Sequence, residues 1–325
     1  MMKKIFALLI ISVALVSCYD EYIKDFDRSG VYFAYQIDAR TVVVGEGMKI
    51  NIGAALAGVM ENKIDRNVTF AIDNSLVTPA ALTAMKGGAT YIKNAVSGVT
   101  TLSPIPSNYF TLSNSSMMVI KAGNHTGFVV LKADSANFLA DASTLKANYA
   151  LALKIQNADA DTVLKSKSTT VIGLKYENML FGNYWHGGVT TVKNASGQTI
   201  QTINYPTTIP CPENTIWVLT TVEPNTLVTN GYSNVTTSKG EMRLTLEGTN
   251  ITVSSNTGST FVVEPDGTSA FNRAKLLQDR RIYLSYKYVN GDGNTCYAKD
   301  TLTFRNRIRD GVNEWQDENP SHYGK

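Results

Sequence analysis

The sequence predicts an all-β protein, and three observations lead to this fold class. Short runs rich in Val, Thr, Tyr and Ile alternate apolar and polar residues with the period of a half-buried strand. Clusters of Gly, Asn and Ser separate the runs and favour turns. One long hairpin is visible directly, because residues 280–289 can pair with residues 295–308 across the turn Asn290–Gly293.

The N-terminus predicts export and lipid attachment. Lys3 and Lys4 precede an apolar run over residues 5–16, which would rise only about 18 Å as a helix, against about 30 Å for a bilayer core. The following Leu15-Val16-Ser17-Cys18 resembles a bacterial lipobox, in which the Cys is acylated and becomes the first mature residue. An ordinary cleaved signal with an incidental Cys is the alternative. We therefore expect residues 1–17 to be a lipoprotein signal peptide and Cys18 to be the lipidation site.

Residues 18–28 are interpreted as a lipidated tether. The stretch is acidic and poorly patterned. Acidic residues directly after a lipidated Cys resemble the surface-export signal of Bacteroidetes lipoproteins, although a merely solvated linker is an equal alternative. The first interpretation places the protein on the outer membrane, facing the cell exterior.

Residues 29–176 are predicted to form a first β domain. Period-two strand runs occur at residues 30–35, 48–52, 68–72, 117–120 and 128–131. One short helix is expected over residues 75–85, with Pro79 in its first turn.

Residues 177–325 are predicted to form a second β domain, with the boundary near residues 174–180. Residues 181–185 open a strand, Asn194–Gly197 forms its turn, and residues 198–205 return antiparallel. Further strands are expected at residues 216–222, 241–247, 250–254 and 260–264. In the last hairpin, alternation places Leu284, Tyr286 and Tyr288 on one face of the strand.

Both halves resemble a known family. The first carries Asn108–Leu112, Val119–Gly123 and Asn148–Ile155, which are similar to the N-terminal domain of unknown function in many Bacteroidetes cell-surface lipoproteins. That resemblance implies an immunoglobulin-like β-sandwich, a domain that also precedes some endo-glycosidases. The second half opens with Gly182–Trp185 and ends with Arg305–Gly311, which resemble the calycin-like, lipocalin-like antiparallel β-barrel of non-enzymatic members. The resemblance implies that Trp185 closes the barrel floor under Arg305 or Arg307.

The charge balance argues against nucleic acid as a partner. Lys and Arg number 30 and Asp and Glu 27, giving a net charge of +3 that is too even for a nucleic-acid-binding surface. Once Cys18 is acylated, Cys211 and Cys296 remain as a possible disulfide. Three His residues without ligand spacing to either Cys predict no metal site, and no cofactor is expected.

The sequence predicts that the protein is not an enzyme. It has no nucleophile elbow, zinc-protease motif, phosphate loop, dinucleotide fingerprint or family-18 glycosidase motif. Asp159 and Asp161 lie close together without a third acid, although two distant carboxylates could still meet in the fold. Asn290, Asp292 and Asn294 have the spacing that opens a calcium loop, but no bidentate Glu follows, which favours a plain hairpin turn.

Aromatic side chains are the candidates for ligand binding, because sugar rings stack on aromatic faces. For each of them core packing is the competing interpretation, and it is favoured for two of the tryptophans. The candidates are Tyr286, Tyr288, Trp185, Trp217, Tyr232 and Trp315.

Two exported-protein modification sites are also predicted. Asp134-Ser135-Ala136 and Asp161-Thr162-Val163 match the Asp-Ser/Thr-apolar sequon for O-glycosylation in Bacteroidetes.

By family resemblance, the expected function is capture of an oligo- or polysaccharide for a starch-utilisation-type uptake system, next to an outer-membrane transporter complex. A structural or assembly lipoprotein that docks a membrane protein is the alternative, and a cryptic glycosidase is a third.

Overall fold

The computed structural model describes residues 26–207, 215–238, 240–259 and 262–314. Strands make up 52% of the structure and helices 13%, which confirms the predicted all-β class. The N-terminal half is a two-sheet sandwich and the C-terminal half is a closed eight-stranded antiparallel barrel.

The sandwich contains eleven strands among the described residues. They are β1 Gly30–Tyr32, β2 Ile37–Val44, β3 Lys49–Ala57, β4 Arg66–Ile72, β5 Ser103–Pro104, β6 Phe110–Leu112, β7 Met117–Ile120, β8 Thr126–Ala133, β9 Tyr149–Ala158, β10 Thr162–Val163 and β11 Thr169–Asn178. One sheet has the order β10-β1-β3-β8-β6 and the other β2-β11-β9-β4-β7, with β5 beside β9. Alternate residues of both sheets point inward and form one apolar core.

Three short helices flank this sandwich, two of them on the outer face of one sheet and the third against the main core. They are α1 Pro79–Gly87, α2 Thr90–Ala95 and α3 Ser135–Ala140. The predicted helix is α1, and it begins at Pro79 rather than residue 75 because Thr78 Oγ1 accepts a hydrogen bond from the Ala81 N–H at 3.2 Å. Residues Asn74–Leu76 form a separate 3₁₀ turn, capped by Asp73. The buried residues of α1 and α2 pack against β9 and β11 and form a second small core.

The second half contributes thirteen strands. They are β12 Gly182–Lys193, β13 Thr199–Tyr205, β14 Ile216–Glu223, β15 Thr226–Thr229, β16 Gly231–Tyr232, β17 Val235–Thr236, β18 Met242–Glu247, β19 Asn250–Ser255, β20 Val263–Pro265, β21 Ser269–Phe271, β22 Arg281–Val289, β23 Thr295–Arg309 and β24 Val312–Glu314. The barrel order is β12-β14-β15-β18-β19-β21-β22-β23, and β23 pairs back onto β12 to close it.

The closing seam depends on a glycine in β12. Gly188 has φ +132°, and a Cβ there would lie 2.2 Å from the carbonyl oxygen of Lys299 on β23. Only glycine therefore allows the two backbones to approach so closely. The turn Asn194–Gly197 and the returning strand β13 follow as the sequence predicts.

The aromatic residue inside the barrel floor is Tyr184 rather than Trp185. Tyr184 is fully buried, its hydroxyl donates to the Leu180 carbonyl oxygen at 3.0 Å, and its ring meets Phe304 edge to face at 5.6 Å. Because the segment from Gly182 to Trp185 is one residue longer than the lipocalin pattern, strand alternation turns Trp185 to the outside. There the Arg305 guanidinium lies 4.8 Å from the indole centre.

The sandwich and the barrel meet at this floor. β11 ends at Asn178 and β12 begins at Gly182, so the predicted boundary after residue 176 falls inside β11. The Glu46 carboxylate, from the turn between β2 and β3, accepts hydrogen bonds from Arg280 at 2.6 Å and from Arg307 at 2.8 and 3.1 Å. Val43 and residues 179–181 are part of the barrel core. The junction is therefore both apolar and ionic.

Among the described residues, no helix has the length and apolar character needed to cross a membrane.

Candidate functional site

A large cleft lies at the end of the barrel opposite the floor. It is a cleft of about 870 Å³ around the tip of the β22–β23 hairpin. The short β16–β17 hairpin and the start of β20 supply its other walls. The lining residues are Tyr232, Val235, Val262, Glu264, Lys287, Tyr288, Val289, Asn290, Gly291, Thr295 and Tyr297.

Two tyrosines form the inner part of the cleft. The Tyr232 and Tyr288 rings meet edge to face, with centroids 5.3 Å apart, and both side chains are partly exposed. The Tyr288 hydroxyl lies 3.1 Å from Ser233 Oγ, which holds the ring in position. Burial raises the pKa of Tyr288, so its hydroxyl is neutral at physiological pH and keeps both its donor and its acceptor character.

A row of polar side chains forms the outer part of the cleft. Glu264, Lys287 and Tyr297 lie opposite one another on β20, β22 and β23. Lys287 Nζ is 3.1 Å from the Glu264 carboxylate, and Lys193 Nζ lies 4.7 Å from the Tyr297 ring centre. Adjacent residues of β22, Lys287 and Tyr288, point to opposite faces of the barrel wall and both line the cleft. The cleft therefore extends over the barrel rim.

Exposed aliphatic side chains also border the cleft. Val235, Val262 and Val289 are all exposed, and Val262 most of all at 70%. The site therefore combines aromatic faces, one ion pair, the polar end of the hairpin and an apolar margin.

A buried polar network lies beneath the tyrosines. Asp300 accepts a hydrogen bond from the Tyr286 hydroxyl at 2.6 Å and lies 2.9 Å from His186 Nε2. The Ser233 backbone N–H donates to the Tyr286 hydroxyl at 2.7 Å, and Ser233 Oγ contacts Thr190 and Tyr288. Burial, then the charge of Asp300, raises the pKa of Tyr286 well above its usual value. These hydrogen bonds hold in place the part of β22 that carries Tyr288.

Trp217 extends this packing deeper into the barrel. Its indole is fully buried and stacks on the His186 ring with centroids 4.8 Å apart and planes 1° apart. Gly231 lies against the indole, since a Cβ there would be 2.3 Å from Trp217 Nε1. Trp217 is thus a core residue and presents no face to the cleft.

The structure separates the predicted binding residues into three groups. Tyr232 and Tyr288 line the cleft, whereas Tyr286 and Trp217 are fully buried and Trp185 lies on the outer wall beside Arg305. Trp315 falls outside the described residues. The alternation predicted for β22 is confirmed, because Leu284 and Tyr286 are buried and Tyr283 is exposed.

The other predicted sites are placed only in part. Cys18 and Cys211 fall outside the described residues, so lipidation and the Cys211–Cys296 disulfide stay predictions. Cys296 is buried, and burial raises the pKa of its thiol. Ser135 is exposed at the start of α3, and Thr162 is exposed on β10. Asp134 and Asp161 of the two sequons also have structural partners, since Asp134 caps α3 and Asp161 accepts from Ser29.

The polar side chains of two sequence motifs accept hydrogen bonds from backbone N–H groups. Asn290 Oδ1 accepts from the backbone N–H groups of Asp292 and Asn294, as in a hairpin turn. Asp159 accepts from the Asn67 N–H. Within the described part of the chain, no three His, Cys, Asp or Glu side chains are grouped to hold a metal ion.

Sequence reasoning missed Tyr297 and Asp300. Tyr297 was detectable, because the hairpin register places it opposite Lys287. Asp300 carried a weaker signal, a single carboxylate in the otherwise apolar inward series of β23.

Comparisons with known proteins agree with this architecture. A family profile described as "-like, N-terminal domain" matches residues 25–162, which cover most of the sandwich. A Bacteroides ovatus protein of unknown function, solved at 2.40 Å, is 21% identical with a TM-score of 0.60, over 90% of this chain and 98% of the other. That likeness shows a shared fold. With the profile match, it supports the coarser part of the resemblance, a Bacteroidetes domain of unknown function.

Two further Bacteroides ovatus proteins of unknown function are more distant. One is 12% identical with a TM-score of 0.41, over 90% of this chain and 98% of the other. The second is 11% identical with a TM-score of 0.35, over 87% and 93%. No curated protein matches the chain.

Proposed function

We propose that the protein is a non-catalytic outer-membrane surface lipoprotein that binds a glycan in the cleft at the barrel mouth. The observation that carries this proposal is the grouping of Tyr232, Tyr288 and Tyr297 with the Lys287–Glu264 pair and Asn290 around one open cleft. Tyrosine faces pack on the C–H faces of sugar rings, while charged and amide groups bind the hydroxyls.

A non-catalytic role agrees with the position of the acid–base groups. His186 and Asp300 are paired but their side chains are fully buried, so neither reaches a ligand in the cleft. The Glu264 carboxylate is already paired with Lys287. A glycosidase needs two carboxyl groups on either side of the scissile bond. Among the described lining residues, the cleft has one carboxyl group, that of Glu264.

Affinity electrophoresis against plant, host and microbial polysaccharides tests the proposal. We expect one polymer to retard the protein and the combined variant Tyr232→Ala, Tyr288→Ala to abolish the retardation. Tyr283→Ala is the matched control, because Tyr283 is exposed on the same hairpin but does not line the cleft. The absence of retardation by any polymer would count against glycan binding.

Surface attachment needs its own test. Metabolic labelling with a fatty acid should mark the wild-type protein and leave Cys18→Ser unlabelled. External protease should then degrade the protein on intact cells if it faces outward.

Docking of a protein partner is the second candidate function. The observation that favours it is the aliphatic margin of Val235, Val262 and Val289, because exposed apolar side chains around a cleft are common in protein interfaces. Val262→Asp distinguishes the two functions. It should weaken polysaccharide retardation less than the combined tyrosine variant does if the tyrosines bind sugar, and it should release a co-purifying membrane protein if the margin binds a partner.

A further inference from the structure

Four loop segments meet at the end of the sandwich that lies away from the barrel. β3 runs from Lys49, beside the Glu46 turn, to Ala57, and its nine residues span about 30 Å. At the far end the Phe26 N–H donates to the Gly58 carbonyl oxygen at 2.9 Å. Asn62 Nδ2 donates to the carbonyl oxygens of Lys121 and Asn124, each at 3.0 Å. These contacts bring residues 26–29, 58–65 and 121–125 together, and residues 159–161 complete the end.

This end of the sandwich carries three large exposed apolar side chains, Phe26, Met60 and Ile64, which we call the end patch. Phe26 is 80% exposed, Ile64 57% and Met60 53%. Each of these residues lies in a loop, so no neighbouring strand packs over its side chain. Such exposure is costly in water unless another surface covers the patch.

Four of the charged side chains around the end patch form two pairs of opposite sign. Lys121 Nζ lies 2.7 Å from Asp65, and Lys63 Nζ lies 3.8 Å from Glu61. Over residues 26–29, 58–66, 121–125 and 159–161, four basic and five acidic side chains nearly balance, so this end has no large net charge. A surface that covers it therefore needs apolar character more than negative charge.

The chain segment between the predicted lipidation site, Cys18, and the end patch is short. Seven residues separate Cys18 from Phe26, and the eight Cα-to-Cα steps between them span about 28 Å in a fully extended chain. If Cys18 is acylated, the end patch cannot move further than that from the lipid surface. Phe26 lies in the last part of the predicted tether, residues 18–28, three residues before the predicted start of the first domain.

We propose that the end patch lies on the lipid surface of the outer membrane, with Phe26, Met60 and Ile64 among the headgroups. The inference rests on the lipid anchor of the proposed function and is independent of glycan binding. Apolar loop side chains gain free energy at this depth, and the anchor supplies the high local concentration that three side chains alone would lack.

Quenching by brominated lipid tests this contact. Full-length lipidated Ile64→Trp would be reconstituted into phosphatidylcholine vesicles with and without dibrominated acyl chains. Val289→Trp is the matched control, because Val289 is similarly exposed (58%) but lies at the barrel mouth. The native tryptophans contribute the same background fluorescence in both variants, and the wild-type protein is used to measure that background.

We expect the added fluorescence of Ile64→Trp to be blue-shifted and lost in brominated vesicles, and that of Val289→Trp to be unchanged. Phe26→Trp, a more conservative change, should behave as Ile64→Trp does. Because the charges around the end patch nearly balance, we expect the same quenching in vesicles with and without anionic lipid.

Two outcomes would overturn the proposal. Vesicle-bound protein with unquenched Ile64→Trp and Phe26→Trp would show that the patch stands away from the lipid, while the anchor remains. Protein that does not sediment with vesicles at all would refute the anchor and the docking together. Polysaccharide retardation, measured separately, would still report on the glycan-binding proposal.

Discussion

Glu46 and Arg307 form a bidentate ion pair across the junction of sandwich and barrel, with nitrogen–oxygen distances of 3.1 and 2.8 Å. Both side chains are almost fully buried, as is Arg280, the second partner of Glu46. Burial alone would raise the pKa of Glu46, but Arg307 and then Arg280 outweigh it and hold the pKa below its usual 4.5. A single carboxylate of the first domain thus pairs with two arginines of the second, and Glu314 is a further partner of Arg307.

Glu46→Gln should destabilise the protein by about 3–5 kcal/mol, because it leaves two buried guanidinium groups without their shared countercharge. Urea unfolding at neutral pH measures the loss. Glu61→Gln is the control, since Glu61 is exposed and its pair with Lys63 is 3.8 Å long. Equal stabilities of Glu46→Gln and wild type would show that the pair contributes nothing net.

The same pair predicts a pH dependence. Because the folded-state pKa of Glu46 is lowered, its stabilisation is complete above about pH 4.5 and is lost as pH falls through the lower folded-state value. The stability difference between wild type and Glu46→Gln should therefore shrink in acid. A difference that stays constant to pH 2 would contradict this assignment.

Tyr286→Phe should cost about 1–3 kcal/mol, because Asp300 and the Ser233 N–H would each lose a buried hydrogen-bond partner. Its ring does not line the cleft, so any glycan retardation should persist. Tyr283→Phe, on the exposed face of the same strand, should be neutral. A loss of binding in Tyr286→Phe without loss of stability would instead assign Tyr286 a direct role in the cleft.

Gly231→Ala should lower stability by about 1–3 kcal/mol through overpacking, since the new methyl would collide with the Trp217 indole. The near-ultraviolet circular dichroism of the tryptophan should change with it. Gly291→Ala serves as the control, because a Cβ there meets no atom within 4 Å. Unchanged spectra in both variants would mean that the indole is free to move.

Cys296 should resist alkylation in the folded protein, because burial excludes the reagent and raises the pKa of the thiol above its usual 9.0. In a Cys211→Ser background, iodoacetamide at pH 8 should modify Cys296 only after unfolding. Wild-type protein that stays unmodified when unfolded without reductant would indicate the Cys211–Cys296 disulfide. Fast alkylation of the native variant would refute the buried thiol.

Local patterns were enough to predict several elements of both halves. The β22–β23 hairpin, with Tyr286 inside and Tyr283 outside, follows from alternation and from its turn residues. Helix α1 follows from Pro79, although Thr78 moves its start. These features depend on residues close together in the sequence, where side-chain period and capping chemistry determine structure.

Features that depend on distant residues could not be predicted in this way. β2 pairs in parallel with β11, so that Ile37 lies opposite Val171, and no local signal specifies that partner. Glu46 stands between two glycines, a pattern typical of a solvated turn, yet the barrel arginines bury it. At the site, Tyr288 and Tyr286 look alike in sequence, and only the closure of the barrel decides which ring remains accessible.

The junction at the barrel floor also determines how the molecule moves. Val43 and residues 179–181 are embedded in the barrel core, and Glu46 is held by both arginines, so sandwich and barrel should tumble with one rotational correlation time. The cleft then keeps a constant direction relative to the end patch. If the protein is anchored at Cys18 and binds a glycan as proposed, the cleft would meet polymer chains at a height set by the summed length of two domains, with little dependence on motion between them.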